Sequence, residues 1–127
     1  MPTFGFPHGA LPRATATLTI PAGQSASDAL DTADMIPLGV ITPGAWTAAA
    51  LSFQVSADGS TWIPLYDQYG SEVSIPSSAI PTGAACAFSI ALANVAAWRF
   101  IRLVSGTNAT PVSQAASRSI VLLGVRA

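Results

Sequence analysis

The stretch Leu51-Ser-Phe-Gln-Val-Ser-Ala-Asp-Gly-Ser-Thr-Trp-Ile-Pro-Leu-Tyr66 decides the fold class. Leu51, Phe53 and Val55 alternate with Ser52, Gln54 and Ser56, the two-residue period of a strand with one face turned to a core. Asp58-Gly59 follows at once. Glycine takes the positive φ of a tight turn without penalty and aspartate bonds nearby backbone amides, so the pair predicts a hairpin whose return strand occupies residues 61–66. Trp62 then covers the end of the sheet.

The same alternation appears upstream, where Thr15, Thr17 and Thr19 face one way and Ala16, Leu18 and Ile20 the other. Pro21-Ala-Gly-Gln24 reads as a turn, and a short segment ends near Leu30. Met35–Thr42 reads as a strand whose Pro37, lacking an amide hydrogen, demands a sheet edge or a bulge. Downstream, strands are expected over residues 72–75, 85–92, 98–104 and 118–125, between segments rich in Pro, Ser, Gly and Ala. One helical turn is expected at residues 94–97, while Ala-rich stretches such as Thr47–Ala50 are too short to nucleate alone. About eight short strands punctuated by turns describe an all-β, antiparallel β-sandwich or jelly roll. This single domain is expected to span residues 14–127. Residues 1–13, with Pro2, Pro7, Pro12, Gly5 and Gly9, are expected to form an extended N-terminal arm.

Charged residues make up 9% of the 127, where an ordinary domain has about 25%, and the net charge is −1. A neutral Ser, Thr and Ala surface repels little and suits close contact with neighbours, so a homo-oligomer is expected, a trimer being one form. The five basic residues, Arg13, Arg99, Arg102, Arg118 and Arg126, make no phosphate-tracking cluster, and no nucleic-acid partner is expected. The N-terminus has neither a basic leader nor a continuous apolar stretch, and no run approaches the ~18 apolar residues of a span, so neither a signal peptide nor a membrane partner is expected. Cys86, between alanines and Phe88, reads as a small buried hydrophobe.

The catalytic inventory is nearly empty. His8, the single histidine, stands in the arm, whereas a general base needs a fixed place within reach of its proton. No serine sits in a Gly-x-Ser-x-Gly elbow. No catalytic residue and no cofactor is expected, and the chain reads as a non-enzyme. Asp28, Asp31 and Asp34 recur every three residues, and a loop gathering their oxygens would suit calcium; the alternative is solvated acids that discourage edge pairing. Trp46, Trp62 and Trp98, with Tyr66 and Tyr69, offer rings for sugar stacking. Trp62 and Trp98 stand at strand positions where burial is expected, which leaves Trp46 as the candidate glycan contact. In the arm, Phe4 and Phe6 are candidate anchors on a neighbouring subunit; the alternative is an arm folded back on its own domain.

Phe53-Gln-Val-Ser-Ala-Asp-Gly-Ser-Thr-Trp62, followed later by Trp98-Arg-Phe-Ile-Arg-Leu103, resembles the discoidin-like, galactose-binding-like jelly rolls. The chain also resembles small virion proteins of tailed phages. The features are the Thr-rich first strand, Pro43-Gly-Ala-Trp-Thr-Ala-Ala-Ala-Leu-Ser-Phe-Gln-Val-Ser56, Leu65-Tyr-Asp67 and Arg118-Ser-Ile-Val-Leu122. This resemblance implies a capsid decoration or cement protein that binds an assembled shell through the major capsid protein or other virion proteins, made in the bacterial cytoplasm and carried on the virion. The alternative it implies is a carbohydrate-binding module of a head fibre or tail that attaches the particle to a host surface.

Overall fold

The computed structural model describes residues 12–126. Nine strands form two antiparallel sheets. β1 (Arg13–Ile20), β9 (Arg118–Arg126), β3 (Met35–Thr42) and β7 (Cys86–Ser89) lie in that order in a four-stranded sheet. β2 (Ala26–Asp31), β8 (Phe100–Ser105) and β4 (Leu51–Ser56) build the other, in which β5 (Ile63–Pro64) and β6 (Ser74–Ile75) share the remaining edge of β4.

The pairing is nested: β1 with β9, β2 with β8, β3 with β7, and β4 with β5 and β6. The chain thus runs out and back as one long hairpin wound over itself. The β3–β9 and β4–β8 ladders complete the sheets, which gives the jelly-roll form of the sandwich.

Alternation places the core as the sequence predicts. Leu18 and Ile20 of β1, Leu51, Phe53 and Val55 of β4, Ile101 and Leu103 of β8, and Ile120 and Leu122 of β9 meet between the sheets. Phe53 is 3% exposed, and its truncation to alanine would cost about 3–5 kcal/mol. Turns hold the ends of this layer. Gly59 takes φ +82°, and the Asp58 carboxylate accepts the Ser60 and Thr61 amides at 2.8 and 2.9 Å, as the hairpin reading requires.

Pro37 sits at a bulge: the register of β3 on β9 shifts between Pro37 and Gly39. On its other side β3 pairs with β7 only from Gly39 to Thr42, so the missing amide breaks no ladder there. A second bulge interrupts β2 between Ala26 and Ala29; there the Ser27 hydroxyl accepts the Leu103 amide and donates to the Asp28 carbonyl.

Four strands are shorter than the sequence suggests, β6 keeping only Ser74–Ile75 of the expected residues 72–75. The return strand of the hairpin keeps only Ile63–Pro64, because Asp58 engages the amides of Ser60 and Thr61 and Pro64 has none to give. β7 stops at Ser89, and Leu92–Val95 forms a single helical turn, α1, two residues before its expected place. β8 begins at Phe100 instead of Trp98, whose amide closes the turn after α1 onto the Val95 carbonyl at 3.2 Å.

Gln114 is fully buried, and the sequence gives no hint of it. Its side chain accepts from the Thr47 amide (2.9 Å) and Arg118 Nε (3.0 Å), and donates to the Thr47 carbonyl (3.0 Å) and Ser105 Oγ (2.7 Å). One amide thereby joins the loop after β3, the end of β8 and the start of β9. No buried side-chain polar atom among the described residues lacks a partner.

Candidate interaction surface

The sequence-predicted site residues do not converge. Phe4, Phe6 and His8 lie outside the described residues. Trp46, expected at the surface, is 3% exposed. Its loop turns the indole inward, where Nε1 donates to the Ala49 carbonyl at 3.0 Å, so the ring has a satisfied polar edge and no open face for a sugar. Trp98, expected in the core, is 38% exposed, since β8 starts two residues after it. Trp62 is half-buried beneath the Arg102 guanidinium, 4.6 Å from its ring centre. Cys86, expected buried, is half-buried.

Asp28, Asp31 and Asp34 are turned to separate tasks. Asp28 accepts the Thr19 amide at 2.7 Å. Asp31 holds Arg99 through both oxygens, at 2.8 and 3.0 Å, and also accepts the Ala33 amide. The Arg99 hydrogen bond and the Ala33 amide hold the Asp31 carboxyl below the usual carboxylate range. The Asp34 amide closes the turn onto the Asp31 carbonyl. Among the described residues no group of three His, Cys, Asp or Glu could hold a metal ion.

The two outer faces of the sandwich differ in chemistry. Across the five-stranded sheet runs a polar ladder: Arg102 Nε donates to Gln54 (2.7 Å), Gln54 to Asn108 (2.9 Å), and Asn108 to the Glu72 carboxylate (2.6 Å). Burial lowers the Arg102 pKa, and the Trp62 ring closes that end of the ladder. The segment carrying Asn108 is tied down by Ser52 Oγ, which donates to the Gly106 carbonyl at 2.5 Å. The polar groups of this face are matched to one another.

The four-stranded sheet has no such ladder among the hydrogen bonds of its described residues. Ile120 and Leu122 point inward, so Val121, Leu123 and Val125 point out, and the register brings Ile41 opposite Val121 and Gly39 opposite Leu123. Leu38, the residue taken up by the bulge, joins them. None of Leu38, Ile41, Val121, Leu123 and Val125 belongs to the core cluster. Gly39, without a side chain, lines two adjoining depressions on this face of about 540 and 300 Å³. Thr15 and Thr17, opposite Leu123 and Val121, fence one side, and Ala87 and Ser89 the other. The result is an apolar strip between uncharged borders, with Arg13 at one end.

This face was missed by the sequence reading, yet a signal existed. Ile120-Val-Leu-Leu-Gly-Val125 and Met35-Ile-Pro-Leu-Gly-Val-Ile41 are unbroken apolar runs, the mark of strands with a need for cover on both faces. No helix of the described residues is long and apolar enough to cross a membrane. In comparison with known proteins, no family model and no curated protein matches the chain.

Proposed function

We propose that the chain is a non-enzymatic structural subunit that works in an assembly, most concretely as a decoration or cement protein on the shell of a tailed-phage virion. The observation that carries this reading is the apolar outer strip of Leu38, Ile41, Val121, Leu123 and Val125 on a protein with so few charges. An apolar strip along the two central strands of a sheet face favours cover by another surface, at roughly 25 cal/mol per Å² removed from water. Its threonine and alanine borders let a neighbour approach without desolvating a charge. The resemblance to phage virion proteins names the kind of assembly, with sister copies and the major capsid protein as the partners it implies.

Sedimentation velocity tests the reading. The wild-type chain should sediment as a closed oligomer. Val121→Thr with Leu123→Thr keeps β-branched or strand-compatible residues on the outer face and extends the threonine row, so the fold persists while the assembly dissociates. A monomeric wild type, or an oligomer indifferent to these changes and to Leu123→Asp, overturns it.

A further inference from the structure

A second surface site lies away from the apolar strip and has a different composition. The turn after β5 and the junction between α1 and β8 enclose a cleft of about 310 Å³. Tyr66 and Tyr69 stand on the turn and Trp98 on the junction. Their exposures of 54, 83 and 38% set these three rings apart from Trp46 and Phe53, which are buried. Ala93 and Ala97, four residues apart at the helical turn, line the cleft with nothing larger than a methyl group.

The turn is rigid. One Asp67 oxygen, Oδ1, accepts the Tyr69 and Ser71 amides at 2.8 and 3.0 Å, while the Asp67 amide donates to the Ser71 carbonyl and the Gly70 amide to the Asp67 carbonyl. The other carboxylate oxygen and the side-chain amides of Gln68 and Asn94 make no hydrogen bond within the described residues, and all three residues line the cleft. No arginine lines it; the neighbouring Arg99 is held by Asp31.

We infer that this cleft binds a neutral sugar of one or two rings. The C–H face of a pyranose is apolar and flat enough to lie on an aromatic ring, and its rim of hydroxyls both donates and accepts. Carboxamides and a carboxylate are the groups that pair such a rim, and a pocket of this size sits at the small end of ligand sites. The absence of a cation from the lining disfavours phosphorylated or sulfated ligands. A proline-rich peptide also docks on aromatic grooves, but its prolines bring carbonyl acceptors and no donors, which would leave the Asp67 carboxylate opposite like groups.

The test uses β-linked tetrasaccharides of glucose, galactose and N-acetylglucosamine, titrated into the whole chain. Tryptophan fluorescence and calorimetry are the readouts. Trp98 is the one tryptophan in the cleft lining, so a saturable change is expected with at least one of the sugars. Tyr69→Ala, at an exposed position that leaves the fold intact, should weaken binding at least about tenfold, and Tyr69→Trp should restore it. No saturable change with any of the three sugars, undiminished binding by Tyr69→Ala, or binding of a polyproline peptide in their place would each overturn the inference. Because Tyr69 lies outside the apolar strip, loss of sugar binding in Tyr69→Ala leaves oligomerisation as it was.

Discussion

Asp58 shows how one side chain turns a strand. Its carboxylate receives the Ser60 and Thr61 amides and the Ser56 hydroxyl, while Ser56 Oγ accepts the amides of Asp58 and Gly59. These donors, the two backbone amides foremost, hold the Asp58 carboxyl at about 2. An unfolded aspartate titrates near 3.9, so the fold favours the anion. This contribution is fully present above about pH 4 and is lost as the pH falls through 2. The melting temperature should therefore drop across that window, and Asp58→Asn should flatten part of the drop; an identical slope in the variant would show that the turn is not responsible. Asp31, also held below its usual range, supplies a remainder. Asp58-Gly59 was legible because turn chemistry is local. Gln114 was not, because nothing in Pro111-Val-Ser-Gln-Ala115 tells which polar residue will be drawn beneath a loop nearly seventy positions away, at Thr47. The tryptophans failed for a related reason. The pattern predicts a strand from Trp98, yet it begins at Phe100, and a displacement of two residues at a strand end decides between sheet and turn.

Among the elements, β1, β3, β4 and β9 were legible, because each carries a long alternation or a long apolar run. The short edge strands β5, β6 and β7 were not delimited, because their limits are set by what β3 and β4 leave unpaired. The junction of β3 with β9 shows how two elements constrain each other. Pro37 sits at the bulge, its partner across the ladder is Gly124, and a Cβ on Gly124 would overlap the Ile36 carbonyl. Backbone, unlike the far end of a side chain, yields only by moving the strand. Gly124→Ala should therefore cost about 2–4 kcal/mol, measurable by urea denaturation, although alanine is ordinarily the better strand residue. A neutral Gly124→Ala would mean that the bulge relaxes freely. Since Gly124 and Leu38 line the depression on the outer face, the same bulge also shapes the apolar strip.

At the scale of the whole molecule the sandwich is one-sided in chemistry, with a matched polar ladder on one sheet and an apolar strip on the other. The charge-poor composition foreshadowed assembly but not the face, because composition carries no direction; only the register of β9 against β3 shows which side chains emerge together. This asymmetry sets how association should respond to solvent. Ion pairs between subunits weaken as the Debye length falls from about 10 Å at 0.1 M salt to about 3 Å at 1 M. Apolar contact is not screened, and sulfate strengthens it by exclusion from the exposed surface. Oligomers formed through the strip should therefore keep their sedimentation coefficient and dissociation constant, within about twofold, when sodium chloride is raised across that range, and should tighten in sodium sulfate. Arg13, at the end of the strip, is the charge whose replacement by Gln should leave this insensitivity unchanged. Dissociation at high sodium chloride would instead assign the contact to the arginines and acids elsewhere on the molecule, and the strip would lose its role in assembly.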